Sequence, residues 1–287
     1  MRARRSSPLS PTPTADISEI LFFCLLAYGL SWAVWVPMVL RGTIVSPGGW
    51  PTHFGGLVGP ALAGLLTLAV LPRRRAALGD LARRMVRVRF GWGGWALALA
   101  PGVLLLAAVA ASRGLNIPVS PDGARRYSGL PELSVPVLFV IVFLINGLGE
   151  EGGWRGFLLP RLQRRFGAVA GTLVLAAVWI GWHTPLFWLV ATYRGMGPAM
   201  LVFGFGLGIT CGAFVLAQVA SAARGSVVAP ALWHSLYNMA TATAIGGLTQ
   251  AGVSAVVMAW GIGLFAWALA DARGRTAITV PAPPMRD

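Results

Sequence analysis

Apolar residues run in long blocks along this chain, and the polar positions between the blocks are short stretches rich in Arg, Gly and Pro. A helix rises 1.5 Å per residue, so a block of about 18 residues or more can cross roughly 30 Å of hydrocarbon. The pattern predicts eight spanning helices, at residues 17–40, 54–71, 93–111, 134–157, 170–190, 198–220, 226–245 and 252–270. The expected fold class is all-α and polytopic in the membrane. Residues 78–90 (LGDLARRMVRVRF) alternate differently and predict a short amphipathic helix lying at the interface. The chain then divides into a disordered basic tail (1–16), a three-helix membrane region with a basic loop (17–133), a segment that carries the chemistry (134–247), and a last helix with its tail (248–287). The first apolar block is too long for a secretion-signal core and lacks a small-x-small cleavage site.

Composition supports the membrane reading. Hydrophobic residues make up 56% of the chain and charged residues 11%, where a soluble domain carries about a quarter charged. All 23 basic residues are arginine. With the N-terminus inside, eighteen of them fall in cytoplasmic segments and five (Arg41, Arg113, Arg125, Arg126 and Arg194) on the other side, as the positive-inside rule expects. Both termini are therefore predicted to be cytoplasmic. A net charge of +14 on a soluble protein would suggest nucleic acid. Here the arginines flank apolar blocks, so membrane lipid headgroups are the expected partner and nucleic acid is not. Trp50, Trp92 and Trp95 flank the blocks as interfacial anchors do. Cys24 and Cys211 lie inside apolar runs and suggest neither a disulfide nor a metal site. The lysine-free composition, rich in Ala, Gly and Arg, fits a multi-pass protein of a bacterial cytoplasmic membrane.

The chemistry concentrates in residues 141–160, IVFLINGLGEEGGWRGFLLP. Of nine acidic residues, Glu150 and Glu151 alone sit well inside an apolar block. A carboxylate near mid-bilayer costs roughly 2.5–3.5 kcal/mol on insertion scales, so its presence marks a functional site. Glu151 and Arg155 are four apart on one helix face and predict an intramembrane ion pair. Glu150 points about 100° away, without such a partner in its own helix, and is expected to face a cavity as a proton acceptor or donor. The alternative, that both acids snorkel to the interface, is weakened by Phe157, Leu158 and Leu159, which continue the apolar run. Gly147, Gly149, Gly152 and Gly153 surround the pair, each costing a helix about 1 kcal/mol. They fit either close helix approach or access of a substrate backbone.

Two histidines lie in other apolar blocks: His183, with Trp179 four residues before it, and His234, with Asn238 four residues after it. His53, in an external loop, is assigned no role. By helical rise, Glu150 lies about 10 Å from the inner end of its block, His183 about 20 Å and His234 about 12 Å from the cytoplasmic starts of theirs. A cavity open to the cytoplasm is expected.

The ordered set Glu150-Glu151-x-x-x-Arg155, Trp179-x-x-x-His183 and His234-x-x-x-Asn238 resembles the CAAX prenyl protease and bacteriocin-processing (CPBP, or Abi) family of intramembrane endopeptidases. The likeness covers about residues 134–245, with Trp179 where that family usually has phenylalanine, as an aromatic wall. The resemblance implies a peptide hydrolase acting on a membrane-associated or lipidated protein. In that reading Glu150 activates water with help from His183. His234 and Asn238 donate to the developing oxyanion, and Glu151, Arg155 and Trp179 support the site. Glu150, His183 and His234 would also make a zinc ligand set. The expectation is a metal-free site, because ligation would use up Glu150 while Glu151 is committed to Arg155. Two other functions compete: a non-proteolytic scaffold or bacteriocin-immunity protein, and a proton-coupled transporter. The absence of an internal repeat argues against the latter.

Overall fold

The computed structural model describes residues 17–71 and 75–281. The expected basic tail (1–16) and the arginines Arg73, Arg74 and Arg286 lie outside the described residues. Among the described residues ten helices of six residues or more follow in order: α1 (Ile17–Leu40), α2 (Phe54–Val70), α3 (Arg75–Val86), α4 (Gly91–Gly114), α5 (Val135–Phe166), α6 (Ala168–Leu189), α7 (Met200–Ala222), α8 (Val228–Thr241), α9 (Thr249–Ala270) and α10 (Ala272–Ala277). Six of them, α1, α4, α5, α6, α7 and α9, are long and apolar enough to cross a membrane. The protein is an all-helical, multi-pass integral membrane protein. The other two expected spans are shorter than the sequence pattern suggests. α2 is interrupted at Val58, and its second piece opens on Gly59 and Pro60, while α8 has 14 residues.

Lipid-facing and inward-facing positions separate cleanly. Leu25, Leu106, Val103 and Phe203 are exposed on the outside of the bundle, as in a protein whose solvent there is hydrocarbon. Trp154, Phe157, Leu158, Leu159 and Leu162 of α5 are buried at its centre. Phe23 of α1 stacks on Phe157 at 4.6 Å, and Trp182 of α6 meets Trp154 edge-on at 5.6 Å.

α5 is the central element. It contains two π-helical stretches, Val142–Gly147 and Trp154–Leu158, with Glu150 and Glu151 in the α-helical turn between them. Such insertions frequently mark functional sites. Its glycines now have one explanation. A Cβ at Gly149 or Gly153 would overlap the backbone of α2 at Leu57 or Pro60, and one at Gly147 would overlap Ser235 and Ala231 of α8. The glycines let α5 touch two helices backbone to backbone, which is the close-approach reading.

The two ends of the bundle differ. At one end, segments 41–53, 115–134, 190–199 and 242–248 are laced together by isolated β-bridges: Val45 with Val190, Pro47 with Ser128, Val119 with Gly246, and Tyr127 with Thr243. We call this the loop end. The other, arginine-rich end holds α3 and α10. α3 ends at Val86 and does more than lie at an interface. Its Leu81 is buried, and Arg84 bonds Asp80 at 2.8 Å while donating to the carbonyl oxygens of Gly156 at 2.8 Å and Gly225 at 3.4 Å. Burial pulls the Arg84 guanidinium below its usual range, opposed by Asp80. Arg161 of α5 pairs with Glu19 of α1 at 2.8 Å, and Gln163 ties α5 to the chain after α10 through Ile278 and Val280.

Candidate active site

Arg155 and Glu151 form the expected ion pair, Nη1 to Oε1 at 2.8 Å, with side chains 1% and 0% exposed. Arg155 is thus a core residue and not one of the cytoplasmic arginines. The same Oε1 accepts a second bond, from His234 Nδ1 at 2.9 Å. His234 was expected to act beside Asn238 alone; the fold adds the carboxylate of Glu151 behind its ring.

Glu150, 2% exposed, is held differently. Its Oε1 accepts from Asn146 Nδ2 at 2.7 Å and its Oε2 from Trp179 Nε1 at 2.8 Å. Asn146 Oδ1 in turn accepts from Asn238 Nδ2 at 2.6 Å, so α5 and α8 are joined by an amide relay ending on Glu150. Trp179 divides the two acids. Its N–H serves Glu150, while Arg155 lies over its ring face at 4.3 Å. The expected aromatic wall is therefore also a hydrogen-bond donor, which phenylalanine at this position would not be.

His183 owes its place to a break in α6. Pro185 disfavours helical geometry for Thr184, and the helix is interrupted between Trp182 and Leu186. The freed carbonyls find side chains: Trp179 O takes His183 Nδ1 at 2.7 Å, Gly181 O takes Thr184 Oγ1 at 2.6 Å, and Trp182 O takes Trp32 Nε1 at 3.0 Å. A carbonyl only accepts, so the proton of a neutral His183 sits on Nδ1, and Nε2 carries the lone pair. Phe205 packs edge-on against the ring at 5.3 Å.

Glu150, His183, His234, Asn238 and Asn146 all line one cavity of about 850 Å³, within the range of ligand sites. Glu150 is the one carboxylate among its described lining residues. The cavity lining extends to Tyr127, Ser128, Thr192, Tyr193 and Gly247 at the loop end and along α7 and α9 at Met200, Gly204, Ala251 and Ser254.

Three lining residues were missed by sequence reasoning. Tyr127 is buried, its phenol pushed above the usual range by desolvation, then by Tyr193 and Glu150, and eased by a hydrogen bond with Asn238. Burial, then Glu150, pushes Tyr193 up likewise, so both phenols remain neutral donors near Glu150. His53, assigned nothing, also lines the cavity, and burial pushes its imidazole down to about 4. Loop residues such as these carry no periodic signal. Asn146 did carry one, standing four residues before Glu150, the spacing that exposed the Glu151–Arg155 pair.

No three His, Cys, Asp or Glu side chains among the described residues are grouped so as to hold a metal ion. Both Glu150 oxygens accept from neutral donors, and His183 and His234 each bond an acceptor through Nδ1, which leaves Nε2 as the remaining ring nitrogen of each.

Comparison with known proteins agrees with the motif reading. Residues 132–240 match the family described as type II CAAX prenyl endopeptidase Rce1-like, a stretch that contains every site residue expected from the sequence. A curated protein, CAAX prenyl protease 2 of Methanococcus maripaludis, is 28% identical over 148 residues, covering 49% of this chain and 52% of that protein. The match thus spans about half the length of that relative.

Proposed function

We propose that this chain, whose residues 132–240 fall within the type II CAAX prenyl endopeptidase-like family, is an intramembrane endopeptidase in which Glu150 activates water. One observation carries the reading: the single carboxylate lining the cavity is held by two neutral donors, while its neighbour is neutralised by a guanidinium. An acid without a cation keeps its basicity for a substrate proton. Glu150 takes a proton from water as the water oxygen bonds to the peptide carbonyl carbon. The proton then passes to the amide nitrogen as the C–N bond breaks, leaving a free acid and a free amine.

His183, presenting Nε2 to the same space, shares in orienting the water. The carbonyl oxygen gains negative charge in the tetrahedral state and needs donors aimed at it. Asn238 has a second N–H beyond the one given to Asn146 and can serve at any pH. His234 donates from Nε2 only as the imidazolium, with Glu151 as its counter-ion. The likeness to a protein named CAAX prenyl protease 2 supports a protein substrate that meets the enzyme at the membrane.

The test is reconstitution of the full chain in liposomes with a library of membrane-anchored peptides, cleavage being read by mass spectrometry. Glu150→Gln should abolish cleavage without lowering the melting temperature, and a chelator should leave the rate unchanged. Parent-level cleavage by the Gln variant would falsify the assignment of Glu150.

A further inference from the structure

The cavity contains a third imidazole that the hydrolytic chemistry leaves unused. His53 stands just before α2, is buried, and lines the same space as Glu150, His183 and Asn238. Its side chain makes no cap bond to α2. Its main-chain oxygen accepts from Trp35 Nε1 at 2.8 Å and from the Gly56 N–H at 3.1 Å, which any residue at this position would do. A buried polar ring without a partner costs stability, so the imidazole needs another reason to be there.

The ring is firmly seated. Phe54 meets it edge-on at 5.4 Å and in turn meets Tyr127 edge-on at 5.8 Å. Gly129, at a φ of +77°, closes over Nδ1: a Cβ there would come within 2.6 Å of that nitrogen and 2.9 Å of Val45 Cγ1. Val45 is itself fixed to the end of α6, its N–H donating to Leu189 O at 2.8 Å and its carbonyl accepting from the Ala191 N–H at 2.9 Å. The loop gives up a side chain to hold the ring in place.

This seating decides the tautomer. Nδ1 is sealed beside Gly129 without a hydrogen-bond partner. A buried N–H without an acceptor is rarer than an unused lone pair, and burial keeps the ring neutral by pushing its imidazole down to about 4. The proton therefore sits on Nε2, and with Nδ1 sealed the ring meets the cavity through that edge. His183 is the opposite case, since its Nδ1–H goes to Trp179 O and its Nε2 offers a lone pair. One imidazole of the cavity accepts and another donates.

We propose that His53 is a substrate-binding residue whose Nε2–H holds a main-chain carbonyl oxygen of the bound peptide other than the one attacked. This rests on the endopeptidase reading for the ligand's being a peptide, but not for the tautomer. Under that reading the attacked carbonyl already has Asn238 and His234 as donors. The described lining holds no arginine, so a neutral donor in it suits a neutral amide carbonyl better than a carboxylate. A bond to a carbonyl that does not react is equally strong before and during the reaction, so it acts on KM and leaves kcat alone.

The chain has three histidines, which makes ring-nitrogen NMR of the full-length protein practicable with isotope-labelled histidine in detergent. Loss of one set of ring signals in His53→Gln assigns His53. Its proton is expected on Nε2, and adding the membrane-anchored peptide library to the Glu150→Gln chain should shift that signal. A proton on Nδ1, or an Nε2 signal that saturating peptide leaves unmoved, overturns the proposal. The second measurement is steady-state cleavage. His53→Phe keeps a packing ring and lacks the donor, and should raise KM about 3–10-fold with kcat and melting temperature little changed. His53→Gln, whose amide can donate from the Nε2 position, should recover most of that loss. An unchanged KM in His53→Phe overturns the proposal, as does an equal loss in both variants accompanied by a lowered melting temperature. Failure of the endopeptidase reading looks different: the parent shows no Glu150-dependent cleavage while peptide still shifts the His53 signal. Neither cleavage nor shift overturns both.

Discussion

Two adjacent glutamates on one helical turn live in different surroundings. On one side Glu151 shares an oxygen between the Arg155 guanidinium and His234 Nδ1, out of contact with the cavity. On the other side Glu150 meets an amide, an indole and open space. One residue of helical rotation turns the second acid from the packed interface into the cavity. The contrast teaches that two carboxylates in an apolar segment need not form a pair: here one is tied into the framework by a guanidinium and the other, held by neutral donors, faces the cavity.

Substitutions can break that contrast. The largest effect is expected at Glu150: Glu150→Gln keeps the side-chain shape and one of the two acceptor oxygens but removes the base, lowering kcat by about 10²–10⁴-fold with the fold intact. Glu151→Ala should act the other way, through stability. It leaves Arg155 buried and unpaired, a change worth about 3–5 kcal/mol, read as a lowered melting temperature and poor yield. The double variant Glu151→Ala/Arg155→Met should recover much of the loss, because an apolar pair does not carry an orphaned charge.

Smaller changes sharpen the contrast instead. Asn146→Ala cuts the relay between Asn238 and Glu150, and losing a hydrogen bond to a charged group costs about 1.5–3 kcal/mol. A fall in kcat/KM of roughly 10–100-fold follows, with melting little moved if the relay serves the reaction. Trp179→Phe retains the ring over Arg155 and deletes the N–H to Glu150. Its expected cost is about tenfold in kcat/KM. An unchanged rate would return Trp179 to the role of a wall.

Much of this was legible in the chain before any coordinates. Long apolar blocks announced the helices, and the four-residue spacing announced the Glu151–Arg155 pair, because both signals are local and periodic. The shortness of α8 and the interruption of α2 were hidden, since apolar loop residues extend a run without extending a helix. The role of the glycines needed coordinates, because which neighbour a missing Cβ admits is a tertiary fact. So did the reach of the cavity, because it is tertiary packing that brings the loop residues Tyr127 and Tyr193 into its lining.

The laced loops around the rim have a wider consequence. A cavity of about 850 Å³ holds a few residues of extended chain, at about 3.3 Å of length each, and it has no room for a packed domain. Under the proposed function, a segment that approaches Glu150 must arrive unravelled, so a substrate's own stability acts as its shield, and frayed ends and slack tethers are what it exposes to cutting.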